Sequence, residues 1–216
     1  MSDYVAGGRR LGDVPRTTEA EGSAAIADAL RERRGLPAAV WGMLILIASE
    51  ATLFAAFVGT YFYLRFTSPE WPQDGLPEPK VLAPVILVAC LVATSVPMRL
   101  ATLAARAGRL AATRLYVLSA LVVQAGYLAY SIVDYRDQLQ VFGIGRNAYS
   151  SIYYTVLGAD HAHVALGVLF DLWLLGKLAT GLTRYRVRAT WAIALYWHAV
   201  NLITVVVIAT LLSAAL

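Results

Sequence analysis

Glu50 stands near the middle of an apolar run from Trp41 to Arg65, with no other charged residue between those ends. A helix of roughly 20 apolar residues crosses the hydrocarbon of a bilayer. A carboxyl at that depth costs about 2.5–3.5 kcal/mol on insertion scales, so it faces protein or a watery cavity. Such a group suits either proton handling or a buried structural hydrogen bond. Further groups of this kind lie in the apolar run Ile152–Asp171, which carries Asp160, His161, His163 and Asp171. On a helix, Asp160, His163 or Val164, Gly167 and Asp171 share one face, and His161 points elsewhere. His161 and His163 are two apart and cannot grip one ion from a helix, whereas helical zinc pairs stand at i, i+4. Interhelical hydrogen bonding is therefore the expected work of these histidines, and no metal ligand or catalytic residue is expected. His198 and Asn201 share a face three residues apart, and Gln124, Tyr127, Ser131 and Asp134 line another. Glu50, Gln124, Asp160, His163, His198 and Asn201 are expected to point inward and satisfy one another, because each would carry a desolvation penalty if unpaired. Counting helix rise puts Glu50 and His163 at similar depth, so those two should meet directly or through water.

The elements that must position these groups follow from composition. The 216 residues are 59% apolar and only 15% charged, against about 25% charged in a soluble domain. Mean hydropathy is positive. The chain reads as an all-α integral membrane protein. Five apolar segments, Pro37–Leu64, Val81–Met98, Leu115–Val133, Ile152–Leu175 and Trp191–Leu216, predict a five-helix transmembrane bundle over residues 37–216. Residues 1–36 form a polar tail, with a short surface helix predicted over Thr18–Arg34. None of the segments alternates as a barrel strand would.

Loop charge sets the orientation. Arg99, Arg106, Arg109 and Arg114 flank the second connection, and Lys177, Arg184, Arg186 and Arg188 flank the fourth. Arg31, Arg33 and Arg34 precede the first segment. The positive-inside rule then puts the tail in the cytoplasm and the C-terminus outside. The net charge of +4 comes from these membrane-flanking residues and gives no reason to expect nucleic-acid binding. Cys90 is the only cysteine, so the chain has neither an internal disulfide nor a Cys-based copper motif. Gly42, Gly59, Gly126, Gly158 and Gly167 are read as points of close helix approach.

Several of these residues fall into a known order. Ala48-Ser49-Glu50, Phe54-Ala55 and Gly59-Thr60-Tyr61-Phe62-Tyr63-Leu64-Arg65 are followed by Trp71-Pro72 and Gly75-Leu76-Pro77. Gln124, Asp134-Tyr135, Asn147-Ala148-Tyr149-Ser150-Ser151, Gly158, His163-Val164, Gly167 and Tyr196-Trp197-His198 come next. In that order and spacing the chain from Pro37 onward resembles subunit III of the haem-copper oxidases, in the short bacterial form with five helices. It departs from the family pattern at several positions, among them Trp191, where the family has an acidic residue ahead of the last helix. Asp160 stands where the family usually has His, Asn201 where it has Asp, and Thr204 where Trp is common.

The resemblance implies a subunit without haem or copper of its own, both being held by partner subunits. The complex would reduce oxygen to water with electrons from cytochrome c or a quinol while pumping protons across a bacterial inner membrane. Subunit I would be the main contact, with subunit II and other respiratory subunits nearby. The chain's own part would be to stabilise the catalytic subunit, bind phospholipid and support proton uptake. Glu50, His163, Asp160, His198, Asn201 and Gln124 would be the buried proton-related or structural residues. Arg65, Trp71, Trp197 and Arg188 would be lipid contacts. The sequence also leaves open a subunit-III-like protein associated with nitric oxide reductase, or a stand-alone proton-coupled transporter.

Overall fold

The computed structural model describes residues 36–215. The polar tail expected over 1–36, with its surface helix, lies outside the described residues except for Leu36. Five helices are long and apolar enough to cross a membrane. They are α1 (Ala38–Thr67), α2 (Leu82–Arg106), α3 (Leu110–Val141), α4 (Ala148–Leu178) and α5 (Arg184–Leu212). There is no strand among the described residues, so the five-helix reading holds.

The helices run well past the apolar segments. Arg99, Arg106 and Arg114 are helical rather than in a loop, as are Asp134, Arg136 and Asp137, and the α2–α3 connection shrinks to Ala107–Arg109. Apolar length marks the hydrocarbon thickness, while the helix continues through the interface, where long charged side chains reach water. Gly108, at φ +71°, turns the chain there. The Gly108 and Arg109 amides donate back to Ala105 and Ala104, satisfying the last carbonyls of α2. Arg114 on α3 in turn donates to the Leu178 carbonyl at the end of α4, 3.1 Å away.

α2 is not continuous. It breaks at Thr94 into Leu82–Ala93 and Ser95–Arg106. Pro97 has no N–H to offer the Ala93 carbonyl, and its ring crowds that turn. Thr94 patches the break by donating both its amide (3.0 Å) and its hydroxyl (2.6 Å) to the Leu91 carbonyl.

The core has two parts. One surrounds Trp197, Val164, Met98, Val117 and Leu174, where α2–α5 meet. The other, at the end of the bundle that carries Trp71, is aromatic: Phe54, Tyr61, Phe142, Tyr149, Tyr153 and Tyr154. At that end Asn147 starts α4 with a capping box. Its side chain accepts from the Ser150 amide, and the Ser150 hydroxyl accepts from the Asn147 amide. The Asn147 side-chain amide also donates to the Gln73 carbonyl and the Asp74 carboxylate, fastening the α1–α2 loop to α4.

α1 differs from the rest. Only 6% of its most apolar stretch is buried, against 28–50% for the other four helices. Trp41, Ile45, Tyr63 and Phe66 are exposed along it.

The glycines need a correction. A Cβ at Gly42, Gly59 or Gly126 would meet nothing within 4 Å. Only Gly167, against Trp197, and to a lesser degree Gly158, against Tyr135, lie where another element comes close. Small size alone does not say which face of a helix is covered.

Candidate functional site

Glu50 and His163 form the one ion pair among the described residues, joining α1 to α4 through Glu50 Oε2 and His163 Nε2. Their side chains are 18% and 15% exposed. The other ring nitrogen, Nδ1, stands 2.6 Å from the Ala159 carbonyl oxygen, one turn back on α4. A carbonyl can only accept, so Nδ1 carries a hydrogen. Nε2 then either accepts from a protonated Glu50 or, protonated itself, donates to the carboxylate. In both states one proton lies between these two side chains. Phe54, one turn along α1 from Glu50, packs edge-on to the imidazole at 5.1 Å. The Tyr196 hydroxyl donates to the His163 carbonyl over 2.9 Å, tying α5 to the same turn. The arrangement can hold a proton, or pass one, in mid-bundle between α1 and α4.

The remaining polar residues do not join this pair. The Asp160 carboxylate accepts from the Thr204 hydroxyl at 2.7 Å. Gln124 donates to Thr94 Oγ1 at 3.5 Å, and Asn201 donates to Ser95 Oγ at 2.8 Å. The expectation that all six would satisfy one another is thus corrected to one pair plus three separate bonds. The partners Thr94, Ser95 and Thr204 were missed because hydroxyl residues in apolar helices usually bond their own backbone. Pro97 is the signal that could have exposed the first two. His198 does not join either group: it is half-buried, with Arg99 as its charged neighbour. Asp171, on the buried face with Gly167, is wholly buried. The Trp197 indole faces it without closing a hydrogen bond of ordinary geometry.

The expected lipid contacts divide. Arg65 donates to Ser213 Oγ at 2.6 Å, and the Trp71 indole donates to the Tyr61 hydroxyl at 3.0 Å, both at the aromatic end. Arg188 lies in the first turns of α5, partly buried. Trp197 is 0% exposed, because its indole fills the notch left by Gly167. It therefore has no surface to offer a lipid, and that expectation is corrected.

The three histidines are occupied separately. His163 is engaged by Glu50, His161 lies edge-on to Tyr135 at 5.9 Å, and His198 stands beside Arg99. No three His, Cys, Asp or Glu side chains converge as ligands among the described residues. These side chains do not form the ligand set of a haem or a transition metal.

The sequence profile of the family described as cytochrome c oxidase subunit III matches residues 17–212. The chain belongs to that family. Among its relatives, a cytochrome c oxidase subunit 3 from Thermostichus vulcanus is 23% identical over 193 residues, covering 88% of this chain and 93% of that one. A cytochrome bo(3) ubiquinol oxidase subunit 3 from Pseudomonas aeruginosa is 26% identical over 172 residues, 78% of this chain and 81% of the relative. A heme-copper oxidase subunit I+III from Aeropyrum pernix is 29% identical over 171 residues, 74% of this chain but 21% of that longer protein. Subunit III of such an oxidase is part of an oxidase complex, and the family's helical, multi-pass character agrees with the five apolar helices.

Proposed function

We propose that this chain is the cofactor-free, non-catalytic subunit III of a bacterial haem-copper terminal oxidase. In this reading residues 37–216 lie in the inner membrane, with the 1–36 tail in the cytoplasm and the C-terminus outside. Haem and copper belong to the partner subunits, which reduce oxygen with electrons from cytochrome c or a quinol. The chain rests on subunit I, with subunit II and other respiratory subunits near it. The relative from Aeropyrum pernix, whose name joins subunits I and III, supports the contact with subunit I.

The observation that carries the functional reading is the Glu50–His163 pair, because it sets a proton-holding group at mid-depth on the least buried helix. On an exposed flank of this kind the pair is available to a neighbouring subunit. The reading gives it a part in sustaining proton uptake by the catalytic subunit, with Asp160, Gln124, Asn201 and His198 as structural polar residues behind it. The exposed apolar side of α1 suits phospholipid acyl chains, and Arg65 and Trp71 lie near its aromatic end. Arg188, in the first turns of α5, would meet head groups at the other end of the bundle, where each basic residue contributes about 1 kcal/mol against an anionic surface.

Purification in mild detergent tests the assignment. Co-migration with haem- and copper-containing subunits, seen in the visible spectrum, is expected. A colourless homo-oligomer would overturn it. In the intact complex, Glu50→Gln is expected to leave the initial rate near wild type and to shorten sustained turnover. Unchanged activity and proton yield through repeated turnover would remove the proton role and leave the family assignment standing.

A further inference from the structure

A cavity of about 470 Å³ lies between α2, α3, α4 and α5 at the end of the bundle that carries Trp71. That volume falls within the range of small-molecule sites. The cavity runs from Glu78 and Lys80, in the exposed α1–α2 loop, down to His161 on α4. His161 stands about 20 Å of helix rise beyond the start of α4 at Ala148. Leu87, Val88, Leu157 and Ile208 give the cavity apolar walls. Neither Glu50 nor His163 lines it, so it is separate from the α1–α4 pair.

The charges around it do not balance. Glu78, Asp134 and Asp137 line the cavity against a single basic side chain, Lys80. None of these four is ion-paired among the described residues, where Glu50–His163 is the one pair. Asp134 is half-buried on the cavity wall. Its Oδ2 accepts from the Gln138 side chain, which in turn accepts from the Tyr153 hydroxyl, so the carboxyl is held in place. Its Oδ1 has no hydrogen bond among the described residues. Tyr149 lines the same cavity, is 1% exposed, and its hydroxyl has no hydrogen bond among the described residues. Buried polar groups are normally satisfied, and for this one the partner must come from within the cavity.

These features select an occupant. An anion would meet three acidic side chains and one basic one. A metal ion would find no converging ligand set among the described residues and would gain nothing from apolar walls. A neutral hydrocarbon would leave Asp134 and Tyr149 unanswered. An ammonium group on an apolar body suits all of them, because aromatic rings as well as carboxyls attract it. Tyr127, Tyr130, Tyr149 and Tyr153 all line the cavity, and the Tyr149 and Tyr153 rings adjoin, with centroids 5.7 Å apart. We propose that the cavity is a binding site for an amphipathic organic ammonium ion. Its charged nitrogen sits at Asp134 among the tyrosines, and its apolar body lies against Leu87, Val88 and Leu157. A phospholipid head group is disfavoured, since its phosphate would face the same three carboxyls. The site is therefore distinct from the acyl-chain surface of α1.

The test uses the protein with the subunits that accompany it, placed in lipid nanodiscs, with empty nanodiscs as the blank. Radiolabelled hexyltrimethylammonium is the probe, and equilibrium dialysis measures its uptake. Saturable binding near one probe per chain is expected, with hexanol and hexanoate competing at least tenfold more weakly than unlabelled probe. Asp134→Asn should weaken binding about tenfold, the size of losing a bond to a charged group. Tyr130 is 47% exposed, so its replacement leaves the fold intact. Tyr130→Leu should weaken binding roughly threefold, in line with an exposed cation–π contact, and Tyr130→Phe should retain it. Should Asp134→Asn fail to assemble, Tyr130→Leu and the exposed Asp137→Asn decide the matter. Absence of saturable binding, hexanoate competing as well as the cation, or affinity unmoved by these substitutions would overturn the proposal. Glycerophosphocholine displacing the probe as well as hexyltrimethylammonium does would give the cavity to phospholipid head groups and overturn it too.

Discussion

Replacing Gly167 by alanine probes the most crowded glycine among the described residues. A methyl group built there lies 2.6 Å from Trp197 Cζ2 and 2.9 Å from Cε2 and Cη2. Carbon atoms at rest keep about 3.5–4.0 Å apart, so the indole would have to retreat by about 1 Å. It has nowhere to go, being wholly buried among Val164, Tyr196 and Val200. Overpacking of this kind costs about 1–3 kcal/mol, and the better helix propensity of alanine offsets at most about 1 kcal/mol of it. A net loss of about 1–2 kcal/mol follows. The same change at Gly42, Gly59 or Gly126 meets nothing within 4 Å, so those three variants should unfold like wild type or slightly later. The assay is thermal or detergent unfolding of the purified assembly, read alongside a Trp197→Phe background. Phenylalanine is shorter than the indole and withdraws the crowding atoms, so the penalty at Gly167 should shrink there by about 1 kcal/mol, a double-mutant coupling of ordinary size. Wild-type stability for Gly167→Ala, equal losses at the three control glycines, or an undiminished penalty beside Trp197→Phe would refute the packing argument.

Other substitutions test other contacts. Glu50→Leu removes the partner of His163 Nε2 and should cost about 0.6–1.7 kcal/mol, from the average to the largest value measured for interhelical bonds in a membrane protein, whereas Glu50→Gln should lose less; unfolding of the two variants compares them. Asn147→Ala strips the α4 cap and unfastens the α1–α2 loop, for about 1–2 kcal/mol, and limited proteolysis should then cut between Ser68 and Lys80 at protease levels that spare wild type. Thr204→Val leaves the buried Asp160 Oδ1 without its donor and should destabilise by about 1–3 kcal/mol, with Thr204→Ser recovering most of it in the same unfolding assay.

The five crossings were legible because hydrocarbon thickness imposes a minimum apolar length, which Leu82–Arg106 and its fellows meet whatever they pack against. Their ends were not legible, since Arg106 and Asp137 look like loop residues yet continue helices beyond the hydrocarbon. Glu50 and His163 could be brought together by counting rise, because each lies at a measurable distance along a nearly straight helix. Asn201, Gln124 and Asp160 could be placed inside but not given partners. Their bonds run to hydroxyls at a break that depends on Pro97, and the register between α2 and its neighbours is set by tertiary packing. Trp197 shows the same limit from the apolar side, since an aromatic within an apolar helix reads equally well as a contact for lipid or as the plug of a notch.

The sparse cover of α1 bears on how the protein survives its own synthesis. A first crossing that finds few neighbours in its own chain must be stabilised by other membrane proteins. Copies made in excess of those companions would show an ion pair and an apolar flank to the quality-control proteases of the bilayer, and their lifetime should track companion supply more closely than the stability of the four-helix remainder.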